Sequence, residues 1–138
     1  MEDNFLHFTN SLNQIFCSIW YLERDRMITT VWKGMATDQS VRKIKARLLE
    51  MLQAKDTVVI MSDVQQFFSA PAELLRELGE TDWDDSVNSL GVQMLVHVLK
   101  PDTELPQDQE ATHPGGLTIK HFHNKIDALA WIKNQLRS

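Results

Sequence analysis

Apolar residues along this chain fall into short β-branched and aromatic runs, separated by longer stretches in which they recur every three or four positions. Residues 15–22 (IFCSIWYL) and 27–32 (MITTVW) read as strands split by Glu23-Arg24-Asp25-Arg26, a charged tetrapeptide expected to turn a hairpin. Gly34 breaks the second strand, and Thr37 is a suitable N-cap for a helix to about Ala54, with Asp38 in its first turn. Val41, Ile44, Leu48 and Leu52 form its apolar stripe, widened by Leu49 and Met51. Residues 57–61 are a third strand, apolar throughout and so expected at the centre of a covered sheet. A helix over 69–78 follows, with Pro71 in its first turn and Gly79 at its end, then a short helix from Asp82 through Trp83 and Val87 to Gly91. Strands at 92–99 and 117–122 flank a loop-like region, 101–116, rich in proline and acids. Asn124 caps a last helix with Asp127 three residues on, and its expected stripe is Ile126, Leu129, Ile132 and Leu136.

The order ββαβαβ(loop)βα predicts one α/β domain over 1–138, with residues 1–12 as a flexible leading segment. The sheet is expected to be mixed and five-stranded, with an antiparallel first hairpin, parallel right-handed crossovers and helices packed on it. A length of 138 residues suffices for a real core. The formal net charge of −5 argues against a general nucleic-acid binder, because phosphate contacts supply most nonspecific affinity. Cys17 is the single cysteine, which excludes an internal disulfide and a thiolate metal cluster; within an apolar strand it reads as an inert thiol. No apolar run approaches the roughly 20 residues of a membrane helix. The start MEDNFLHF has neither the basic opening nor the cleavage site of a signal peptide, so the cytoplasm is the expected location.

The most informative stretch is TVVIMSDVQQFFSAPAELL, where a strand feeds a short loop and a helix start. In open α/β sheets, ligands and partners gather at the carboxyl ends of strands. Phe67 and Phe68 stand in the expected loop, either packed beneath it or exposed as an interaction patch. Ser69 is explained by capping, although a phosphate there would also suit the helix dipole.

Trp32-Lys33-Gly34, the strand running into Ser62-Asp63-Val64, Phe68-Ser69-Ala70-Pro71, Trp83 and Ala128-Leu129-Ala130-Trp131-Ile132 occur in an order that resembles the SpoIIAA-like proteins, which include STAS and SEC14-type domains. The chain looks most like their small bacterial single-domain members, over about 13–136. The resemblance implies a SpoIIAA-like (STAS) fold and a non-enzymatic protein-interaction or regulatory module without a cofactor. Its working surface would comprise Asp63, Phe67, Phe68, Ser69 and Pro71, with Trp83 beside it. In anti-sigma-factor antagonists of this group a serine at this helix start is phosphorylated. Here only Ser69 matches, because the preceding acid and following glycine of that motif are absent. The region 101–116 also departs, having prolines where relatives often place a helix. A protein partner is implied, with a second copy of the chain as one candidate. The alternative is a SEC14-like carrier holding a lipid or other apolar ligand in a pocket of about 300 Å³ or more.

Other constellations carry less. His121 and His123, joined by His97 and His113, suggest a metal site, but no further ligand stands at diagnostic spacing. His97 alternates with apolar neighbours and reads as a partly buried core histidine. Glu77, Glu80, Asp82, Asp84 and Asp85 suit general acid–base work or magnesium, and equally a helix N-terminus. Gly115-Gly116 is a turn, not a phosphate cradle, and Ser69, His97 and Asp63 form a triad only on paper. Arg42, Lys43, Lys45 and Arg47 suit a solvated helix face. Trp20, Trp32, Trp83 and Trp131 are expected in the core or lining an apolar pocket.

Overall fold

The structure is a computed structural model that describes residues 5–67, 81–101, 110–112 and 116–137. It is an α/β fold on one mixed sheet of seven strands: β1 (Phe5–Thr9), β2 (Ile15–Leu22), β3 (Met27–Gly34), β4 (Val59–Phe67), β5 (Met94–Val98), β6 (Glu110–Thr112) and β7 (Thr118–Phe122). The order across the sheet is β1-β2-β3-β4-β5-β7-β6. β1, β2 and β3 pair antiparallel, β3 to β4, β4 to β5 and β5 to β7 parallel, and β6 returns antiparallel to β7. Among the described residues the helices are α1 (Asp38–Ala54), α2 (Thr81–Ser89) and α3 (Lys125–Arg137). No helix among the described residues is long and apolar enough to cross a membrane.

Two strands beyond the expected five lie at the sheet edges. β1 occupies part of the segment read as flexible, because Leu6 and Phe8 pair with Ile19 and Cys17 on one face while Phe5 packs on Trp20 on the other. β6 sits inside the region read as loop, where three residues suffice to cover the β7 edge. β4 also runs six residues past its expected end, through Ser62-Asp63-Val64-Gln65-Gln66 to Phe67. A register shift opposite Val31–Lys33 absorbs the polar residues without ending the pairing. The helix expected at 69–78 falls outside the described residues.

The β2–β3 turn is built as its charge suggests. Glu23–Asp25 form a single 3-10 turn, and Arg26 closes it in the left-handed region at φ 51°. The Arg26 guanidinium grips the Asp56 carboxylate at 2.6 Å and 2.8 Å, and Tyr21 donates its hydroxyl to the Asp56 carbonyl at 2.6 Å. These contacts tie the turn to the segment entering β4.

Strand pairing sorts the sheet side chains onto two faces. Cys17, Ile19, Ile28, Trp32, Ile60 and Leu95 face α1, whose Val41, Ile44, Leu48, Met51 and Leu52 are buried against them. The Thr37 hydroxyl oxygen caps α1 by accepting from Ser40 N at 3.1 Å. Val87 of α2 joins the same cluster. Met27, Val59, Met61, Met94, Val96 and Val98 face the other way, beneath Ala128 and Ile132 of α3. Ile126 and Leu136, expected in the α3 stripe, are 80% and 37% exposed. The contact stripe instead runs through Ala128, Leu129, Trp131 and Ile132, with the small Ala128 letting the helix approach the strands closely.

Candidate functional site

On the α3 face one row of paired residues crosses the sheet: Trp20, Thr29, Met61, Val96 and Lys120. α3 covers the β5 and β7 part of the row. Over β2, β3 and β4 it leaves a groove of about 300 Å³, floored by Trp20, Thr29 and Met61 and walled by Leu22, Lys125 and Leu129. The lining is mostly apolar, and the volume stands at the lower end of small-ligand sites. Leu22 is 40% exposed, whereas Thr29 and Met61 are buried, so the groove has a packed floor and an open rim.

Two polar features mark it. Thr29 Oγ1 is buried without a hydrogen-bond partner among the described residues, which is costly in an apolar setting. Lys125 starts α3, whose N-terminus is capped reciprocally: Asn124 Oδ1 accepts from Asp127 N, and Asn124 Nδ2 donates to the Asp127 carboxylate, each at 2.8 Å. At the far end of the row, Lys120 Nζ lies 5.7 Å and 5.8 Å from the rings of Phe122 and Trp131.

A second depression of about 340 Å³ continues along the same edge of α3, lined by Arg24 and Asp25 of the turn and by Lys133, Leu136 and Arg137. Lys125, Leu129, Lys133 and Arg137 are spaced by four, so one edge of the helix borders both depressions.

The expected working surface is arranged differently. Phe67 is not in a loop: it ends β4 at 1% exposure, with its ring centroid 5.7 Å from that of Trp32. The packed alternative is therefore the one realised, and Phe67 is not offered to a partner. Asp63 is likewise a buried strand residue, accepting from Gln65 N at 3.0 Å. Two residues along β4, Gln65 Nε2 donates to the His123 carbonyl at 3.1 Å, tying this strand to the residue after β7. Phe68, Ser69 and Pro71 lie outside the described residues. Trp83 falls within α2, but its side chain also lies outside what is described.

The paper triad is corrected by strand parity. Asp63 pairs with Val98 and points to the α3 face, while His97 pairs with Ser62 and points to the α1 face. His97 is stacked on His121 with centroids 5.1 Å apart. Burial, with His121 beside it, pushes His97 down to about 3, so it is neutral at ordinary pH. His123 lies beyond β7 and His113 outside the described residues, and no three metal-type side chains converge among those described. Burial pushes the Cys17 thiol up, which suppresses its thiolate.

The groove was not singled out from the sequence, although Trp20 and Leu129 were. The available signal was Trp20 and Leu22, two large apolar residues at alternate positions on the α3 side of β2. No family model matches this chain, and no curated protein matches it either.

Proposed function

We propose that this domain is a non-enzymatic carrier that holds a small apolar molecule in the groove between β2–β4 and α3. The observation that carries the reading is an apolar recess of about 300 Å³ with a buried floor and an open rim. Its rim residue Leu22 presents apolar surface to solvent, and its floor contains the Thr29 hydroxyl, which has no partner among the described residues. The sequence resemblance to SEC14-type members of the SpoIIAA-like group supports the same reading. A protein-interaction role centred on residues 63–71 loses Phe67 as an accessible anchor.

The neutral fluorophore N-phenylnaphthylamine tests this. Its emission should rise saturably on the native protein and fall to background with Leu129→Glu, which puts a charge on the half-buried wall. Emission that is absent, or unchanged in a folded Leu129→Glu variant, would remove the groove as the binding site.

A further inference from the structure

The two depressions along α3 differ in chemistry and share a wall. The upper one is apolar, whereas the lower one brings Arg24, Lys133 and Arg137 together against a single acid, Asp25. Three cations around one recess contrast with a chain whose net charge is −5. Among the described residues none of the three forms an ion pair, although Asp25 lines the same depression. Three cations and one acid leave the lining of this depression net positive, which favours an anion. Guanidinium groups further suit planar or tetrahedral oxyanions.

Geometry links the halves. From Leu129 to Arg137 the helix edge runs about 12 Å at 1.5 Å per residue. Leu22 lines the upper depression and Leu136 the lower, and both are exposed apolar residues. We infer that the ligand is a single-chain anionic amphiphile, its apolar chain in the Trp20–Met61–Leu129 recess and its acidic head against Arg24, Lys133 and Arg137. This rests on the carrier reading and specifies its ligand class. The head is a carboxylate or a phosphate monoester, which share the anionic oxygens these cations recognise.

Isothermal titration with decanoate, decyl phosphate, decanol and inorganic phosphate separates the cases. Both amphiphilic anions should bind about tenfold or more tighter than decanol, as expected when several exposed cations each add a fraction of a kcal/mol. Whichever anion binds tighter names the head. Arg24→Glu combined with Lys133→Glu, at two surface positions, should reduce both to the affinity of decanol and leave decanol itself unchanged. Added salt should shrink the difference. Decanol binding as tightly as the anions, or anion binding that survives the double substitution, would overturn the inference while the groove stands. Inorganic phosphate binding as tightly as decyl phosphate would overturn it too, because the two depressions would then act separately. If no long-chain compound binds, the carrier reading falls with it.

Discussion

Trp32 and Trp20 belong to the same hairpin and lie on opposite faces of it, and their surroundings are unalike. Trp32 is fully buried, donates its Nε1–H to Thr30 Oγ1 at 3.2 Å, and packs with Phe16 and Phe67 beneath α1. Trp20 is half-buried, rests on Phe5 at a ring separation of 4.6 Å, and floors an open groove. The difference comes from what lies above each face. On one, α1 offers a five-residue apolar stripe over the sheet centre; on the other, α3 meets the sheet through Ala128 and Ile132 and stops short of β2. A closed face is built for stability, and an open apolar face is free to hold something.

The strongest way to break this contrast is truncation on the closed face. Trp32→Ala should cost about 3–5 kcal/mol, because it leaves a large cavity and removes partners from Phe16 and Phe67. Urea denaturation reads this directly, and a loss near 1 kcal/mol would mean that the α1 side is not tightly packed.

Acid sharpens the contrast next. His97 on the closed face has a folded-state value near 3, below its ordinary 6.5. The unfolded chain therefore binds a proton that the folded chain refuses between those two values. Stability from this group is complete above about pH 6.5 and declines as pH falls toward 3, by at most about 1.4 kcal/mol per pH unit. Denaturation midpoints across that range should show the decline, and His97→Gln should flatten it. An unchanged slope in the variant would assign the acid sensitivity elsewhere.

On the open face, Thr29→Val should be neutral or stabilising by about 1 kcal/mol, since it keeps the shape and removes a hydroxyl without a partner. The same change on a satisfied threonine would destabilise, so the sign is the readout. Smallest of all should be the effect of Arg26→Ala on the denaturation midpoint, because its pair with Asp56 is 50% and 70% exposed. High salt should erase most of that difference.

The fold was legible where period and punctuation agree. Thr37 and the three-to-four stripe give α1, and the charged tetrapeptide after Leu22 gives the hairpin turn with Arg26 at positive φ. Legibility failed where a strand carries polar residues: Ser62, Asp63, Gln65 and Gln66 read as loop, yet β3 and β5 both pair with Ser62 and Asp63, and β3 alone carries the ladder on to Gln66 and Phe67. That error put Phe67 in an expected loop, either packed or exposed, although it ends a strand and closes the core. Of the expected α3 stripe Leu129 and Ile132 do meet the sheet, but periodicity alone does not distinguish Ile126, which faces solvent, from Ala128, which faces the sheet. The groove was hidden for a different reason. It depends on how far a helix reaches across a sheet, a quantity set by three elements distant in sequence.

One measurement addresses the central claim that the α3 face holds an apolar ligand. Methyl-labelled protein would be titrated with decanol and followed by NMR. The account predicts saturable shifts at the methyls of Leu22, Met61 and Leu129, with Ile44 and Leu48 of α1 unmoved. Shifts confined to the α1 side, or none at all, would contradict it.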